Sequence, residues 1–149
     1  MKAITSVAGL ESGSYSPSTI IGDQSVLKLD RGVNEVRNAD RRSKGQMTLA
    51  AAFAWSRNVV FSKIALSLGA STSEASQRLY GTWLKFGFGG KTGIDLASES
   101  QGLVNSPDQQ RWSELDLANG GGRRAQHRRR RPLPAEPVVP CTHRVGVGD

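Results

Sequence analysis

The run from Val59 to Leu68 (VVFSKIALSL) is apolar on nearly every side of a helix, and Gly69 is placed to end it. A helix without a polar stripe must be surrounded by other elements, so it belongs in the middle of a domain much larger than itself. The text before it spells a second helix, with Thr48 as N-cap and Leu49, Ala50, Ala51, Ala52 and Phe53 in its body. Between the two lie Ser56, Arg57 and Asn58, read as small polar groups at the edge of a buried helix pair. The rest of the chain offers the apolar helix few obvious partners, which predicts an aggregation-prone product with part of its packing surface unfilled.

The remaining elements follow from spacing and punctuation. Lys2 to Leu10 has helical spacing of Ile4, Val7, Ala8 and Leu10, closed by Gly13. It has no cap before it, a start in mid-pattern that suggests missing upstream sequence. Ile20 to Val36 breaks into short alternating pieces around Asp30-Arg31-Gly32, which predicts a hairpin or extended loop. Asn38 to Gln46 reads as polar connection. Ser71-x-x-Glu74 is a capping box for a third helix that ends near Gly87 and buries Leu79, Trp83 and Phe86. Phe88 to Pro107 is Gly-rich and loop-like, with a short strand expected at Ile94 to Leu96. There are no internal repeats.

Composition divides the chain. One domain is the natural expectation for 149 residues. Through Ala118, 13 Lys+Arg face 11 Asp+Glu, whereas Asn119 to Asp149 carries seven Arg against Glu136 and Asp149 and so supplies most of the net +7. Every aromatic residue precedes Ser113, and the tail holds His127, His143 and the lone cysteine, Cys141. One cysteine excludes an internal disulfide and a Cys-based zinc site of ordinary type, and no metal or cofactor motif is present. No run approaches the ~18 apolar residues of a membrane span, and no signal peptide opens the chain.

Ser56-x-Asn58 has two readings. It caps two helices, as such residues commonly do, or it is one element of a serine acyl-transfer site built from S-x-x-K, S-x-N and K-T-G. The surrounding phrases bear on the choice. In order they are KAITSVAGLESG, the VRNAD segment, MTLAAAFAWSRNVVFSKIALSLG, RLYGTWLKFGFGGKTGIDLASESQGLV and WSELDLA. Phe86-Gly87-Phe88-Gly89 followed by Thr92-Gly93-Ile94-Asp95-Leu96 is the most specific part. Residues 2 to 118 thereby resemble the middle of the transpeptidase domain of a class B penicillin-binding protein, with Ala97 where the family commonly has proline.

The resemblance implies an α/β fold of the penicillin-binding and β-lactamase-like kind, of which this chain holds mainly the helical part. It implies a serine D,D-transpeptidase that is acylated by the D-Ala-D-Ala end of a peptidoglycan stem peptide and by β-lactams. Such a parent enzyme is membrane-anchored, faces the cell wall and works beside other cell-wall synthesis proteins; this chain made alone is expected in the cytoplasm. By the match, Lys2 is the lysine of S-x-x-K, Ser56 relays a proton, and Asn58 hydrogen-bonds the lysine and the substrate amide. Serine is a weak nucleophile without an adjacent base, and S-x-x-K puts the two groups on one helix face a turn apart. The nucleophilic serine would lie two residues before Met1, so it is absent from this sequence, and the fragment is expected to be inactive as it stands. Lys91-Thr92-Gly93 spells K-T-G, but it falls inside the FGFG…TGIDL phrase, where the lysine position varies, and is expected to be a decoy.

Residues 119 to 149 form an Arg/Pro-rich tail without periodicity or aromatics, expected to be disordered. Arg128 to Arg131 could serve a basic arm, which would make the chain a small nucleic-acid-binding protein. The same mixture arises when a GC-rich gene is translated out of frame, and the family text stops in mid-phrase at Asp116-Leu117-Ala118. That second reading expects a frame shift at Ala118 or Asn119.

Overall fold

A computed structural model of the chain describes residues 1–95, 99 and 104–121. Its helices are α1 (Lys2–Glu11), α2 (Leu49–Ala54), α3 (Asn58–Leu66), α4 (Thr72–Lys85) and the short α5 (Glu114–Ala118). Four short strands lie between α1 and α2: β1 (Ile20–Gly22), β2 (Val26–Leu29), β3 (Asn34–Arg37) and β4 (Gln46–Thr48). They form two separate antiparallel pairs, β1 with β4 (Ile21 opposite Met47) and β2 with β3 (Leu27 opposite Val36). Helices plus small sheets agree with an α/β fragment that is mainly helical.

α3 is the centre of the molecule because its sequence leaves no face for water. Val59, Val60, Ile64 and Ala65 are fully buried, and Phe61 nearly so. Ala65 and Leu68 face a cluster with Ile4 and Ala8 of α1, Leu79 and Trp83 of α4, and Leu117 of α5. Val60, Phe61 and Ile64 face a second cluster with Leu49 and Ala52 of α2, backed by Tyr15, Ile21 and Met47. The expectation that this helix finds few partners is therefore corrected: α1, α2, α4 and α5 enclose it. The partners were hidden in sequence because α5 is short and the β1–β4 pair does not alternate clearly.

Local expectations fare unevenly. Thr48 caps α2 by accepting from the Ala51 N–H, and Ser71 caps α4 by accepting from the Glu74 N–H. The Glu74 carboxylate reaches back to the Ala70 N–H, one residue earlier than the box expects. Met1 precedes α1 without a side-chain cap, and Gly13, at φ 73°, turns the chain away after it. The turn at Asp30–Gly32 joins β2 to β3 with φ of 48°, 57° and 91° at its three residues, as a tight hairpin reversal requires. Asn34 Nδ2 donates to Asp30 Oδ2 across it at 2.7 Å.

Three expectations need correction. Gln46 belongs to β4 rather than to a polar connection. Phe86 is half-exposed, because α4 ends at Lys85 and carries Phe86 only as its C-cap. Ile94 and Asp95 are not strand, and Leu96 lies outside the described residues. The tail from residue 122 onward, including Arg128 to Arg131, likewise lies outside them. Among the described residues no helix is long and apolar enough to cross a membrane.

Candidate active site

Lys2 stands in the first turn of α1, and Ser56 and Asn58 lie where α2 gives way to α3. The chain brings them together: Lys2 Nζ donates to Ser56 Oγ at 2.8 Å and to Asn58 Oδ1 at 2.7 Å. Asn58 Nδ2 in turn donates to the Arg37 carbonyl at 2.9 Å, which fixes which end of the amide faces the lysine. Burial pushes the Lys2 ammonium below the ordinary lysine range, because leaving water disfavours the charged form. A lysine so placed is closer than a solvated one to the neutral form, the form that can accept a proton.

The local backbone explains how Ser56 reaches its position. α2 closes on itself at Trp55, with the Ser56 N–H on the Phe53 carbonyl and the Arg57 N–H on the Ala52 carbonyl. Ser56 then takes φ 54°, a left-handed conformation that non-glycine residues seldom adopt. Strain of this kind persists only where surrounding contacts hold it.

Those contacts come from residues the sequence reading did not single out. Arg57, grouped there among small polar residues at the edge of the helix pair, is only 4% exposed. Its Nε and Nη2 donate to Asp23 Oδ2 at 2.9 and 2.8 Å, its Nη1 to Asp40 Oδ2 at 2.8 Å, and its Nη2 also to the Arg42 carbonyl. Asp23 is itself buried and accepts from Asn38 Nδ2 at 2.9 Å and from the Lys44 N–H at 2.9 Å. Burial alone would push the Asp23 carboxyl up; the Lys44 N–H, Asn38 and Arg57 more than offset it and leave it below the ordinary carboxylate range. Asn38 Oδ1 accepts from the Val59 N–H at 3.1 Å, next to Asn58 on α3. The signal in the sequence was a charged residue set between two apolar helices, with acidic residues and the VRNAD segment upstream to answer it.

Beside Lys2 opens a cleft of about 510 Å³, lined among others by Thr5, Arg37, Asn58, Ser62, Leu115 and Asn119. Lys91 is exposed in the loop after α4 and does not line this cleft. No cluster of His, Cys, Asp and Glu fit for a metal occurs among the described residues.

A reactive serine held within reach of Lys2 would face a base, a hydroxyl and an amide in one place, which is the equipment of serine acyl transfer. The chain is similar to several known proteins. The chain is 29% identical over 108 residues to the peptidoglycan D,D-transpeptidase MrdA of Acinetobacter baumannii, covering 72% of this chain and 15% of that protein. It is 34% identical over 85 residues to the peptidoglycan D,D-transpeptidase FtsI of Escherichia coli K12, covering 57% of this chain and 13% of that protein. Among solved structures it resembles PBP2 of Pseudomonas aeruginosa at 28% identity and a TM-score of 0.66, over 81% of this chain and 27% of that one. Penicillin binding protein 3 of Mycobacterium tuberculosis, solved with ampicillin, matches at 30% identity and a TM-score of 0.63, over 80% of this chain and 25% of that one. The chain thus spans about a seventh of the curated relatives and about a quarter of the solved structures. The family described as penicillin binding protein transpeptidase domain matches residues 1–122, and the chain belongs to that family.

Proposed function

We propose that this chain is a fragment of a serine D,D-transpeptidase that cross-links peptidoglycan and binds penicillin, and that Lys2, Ser56 and Asn58 are its share of the acyl-transfer site. The observation that carries the reading is the pair of hydrogen bonds from Lys2 Nζ to Ser56 Oγ and Asn58 Oδ1. In the parent enzyme a serine two residues before Met1 lies one turn from Lys2. Neutral Lys2 takes the proton from that serine, whose oxygen attacks the carbonyl of the penultimate D-Ala. The peptide C–N bond breaks, and the leaving amine receives its proton from Lys2 through Ser56. The amine of a second stem peptide then attacks the acyl carbon, the ester C–O bond to the serine breaks, and Lys2 passes the proton of the amine to the departing serine oxygen. In a β-lactam the bond that opens is the ring amide, so the leaving nitrogen stays attached. Asn58 holds the substrate amide while its Oδ1 orients the lysine.

The parent is proposed to act on the cell-wall side of the membrane with other cell-wall synthesis proteins. None of the relatives and solved structures described above supports the nucleic-acid-binding alternative, which rests on residues 128–131 outside the described part. Fluorescent penicillin tests the reading. The 149-residue sequence lacks the serine and should form no covalent adduct that survives denaturing electrophoresis. A stable adduct on it would overturn the assignment of the nucleophile.

A further inference from the structure

The left-handed Ser56 is exposed, whereas its neighbour Arg57 is buried, so the tripeptide that meets Lys2 is gripped from behind. We propose that Arg57 is a positioning residue: anchored by Asp23, Asp40 and the Arg42 carbonyl, it fixes the Ser56–Asn58 backbone so that Ser56 Oγ and Asn58 Oδ1 converge on Lys2 Nζ. The inference rests on the acyl-transfer reading above and adds to it a group that touches no substrate.

The geometry is over-determined on both sides of Asn58. Before it, all three guanidinium nitrogens of Arg57 are engaged, two on Asp23 and one on Asp40, with Nη2 shared by the Arg42 carbonyl. After it, the Val59 N–H is held by Asn38 Oδ1, and Asn38 Nδ2 returns to Asp23. Asp23 is therefore the common anchor of both grips. It is fixed in its turn by the Asp23 N–H donating to the Gly45 carbonyl at 2.8 Å and by Ser43 Oγ donating to the Asp23 carbonyl at 2.7 Å. A lysine at position 57 would keep the charge but could not reproduce a planar fork that reaches two carboxylates and a carbonyl at once. Its shorter reach over Asp23 would let Ser56 relax from φ 54°, and Ser56 Oγ would leave Lys2.

The test compares Arg57→Lys and Asp40→Asn in two settings. In the 149-residue chain, the Lys2 side chain is titrated by NMR. Burial holds Lys2 below the ordinary lysine value, and loosening the tripeptide should move its titration up toward that value. In the protein that carries the upstream serine, acylation by labelled penicillin is measured per folded molecule, with folding read by circular dichroism. Arg57→Lys should slow acylation about 100-fold, the loss expected when a group shifts by roughly 1 Å, and Asp40→Asn about 10-fold. Asp40 is 40% exposed, so its variant keeps the fold and decides the matter where Arg57→Lys does not fold. A purely structural role would lower the melting temperature while leaving the rate per folded molecule and the Lys2 titration unchanged; that result overturns the proposal. Lys2→Ala separates the two claims. Full acylation in Lys2→Ala removes the acyl-transfer reading and the proposal with it. Loss of acylation in Lys2→Ala with wild-type rates in Arg57→Lys and Asp40→Asn overturns the positioning role alone.

Discussion

A Cβ placed on Gly9 would stand 3.0 Å from Ile64 Cγ2, so the Ile64 side chain of α3 packs directly on the bare backbone of α1 there. Nearer their N-termini the same two helices are joined by Lys2 and Asn58. They therefore run side by side in the same direction, and the close approach at Gly9 helps to set how far Lys2 reaches toward the Ser56–Asn58 turn. Tyr15 shuts the other side of Gly9, with a ring carbon 3.4 Å from the same added atom.

Gly9→Val should act as a wedge. Ile64 is fully buried and has nowhere to go, so the overpacking should cost about 1–3 kcal/mol. Urea denaturation would show this as a lower midpoint, and the Lys2 contact to Asn58 should lengthen. A midpoint equal to wild type would mean that the helices separate freely, contrary to the packing described.

The Asp23–Arg57 pair should be worth more to lose by halves than to lose whole. Both side chains are shut from solvent. Losing Asp23 strips the buried guanidinium of two of its contacts and leaves it only Asp40 and the Arg42 carbonyl, a loss approaching the ~3–5 kcal/mol of a broken buried pair. Asp23→Ala should therefore unfold the chain at far lower urea than wild type. A shift of less than about 1 kcal/mol would show that the pair is hydrated in solution.

The same residue predicts an acid limb. The folded-state pKa of Asp23 lies below its ordinary value, so its stabilisation is fully present above the unfolded pKa of about 3.9. It fades as pH falls through the folded value, because the unfolded chain then binds the proton first. Stability measured from pH 6 downward should fall less steeply in Asp23→Asn than in wild type, and parallel curves would contradict the assignment.

Much of this was readable before the structure. The α2 cap at Thr48, the turn at Asp30–Gly32 and the burial of Leu79 and Trp83 each follow from a short-range rule, and they were found. The β1–β4 pair was not, since strands as short as Gln46–Thr48 leave no alternation to count. Helix α5 escaped for a similar reason, although Ser113 and Asp116 form a reciprocal capping box that marks its start. The juxtaposition of Lys2 with Ser56 and Asn58 came from resemblance alone, because nothing local links residues so far apart in the chain. Arg57 was grouped with its polar neighbours and given no role of its own, because its partner Asp23 lies 34 residues upstream.

Lys91 offers a contrast with Lys2. It is exposed in a loop and lines no part of the cleft beside Lys2. In the serine-bearing protein, Lys91→Ala should leave acylation within roughly a factor of a few, as expected of a lone surface charge. A loss as large as that of Lys2→Ala would return Lys91-Thr92-Gly93 to the active site.

The most direct test of the central claim, that Lys2 serves a serine acyl-transfer site with Ser56 and Asn58, is the rate of covalent penicillin attachment in the protein with serine two residues before Met1. An adduct that survives denaturation is expected, with an acylation rate that rises as Lys2 loses its proton below the ordinary lysine pKa of about 10.4. Lys2→Ala should lower this rate by about 10²–10⁴-fold, the usual worth of a positioned general base. A Lys2→Ala protein that acylates as fast as wild type would contradict it.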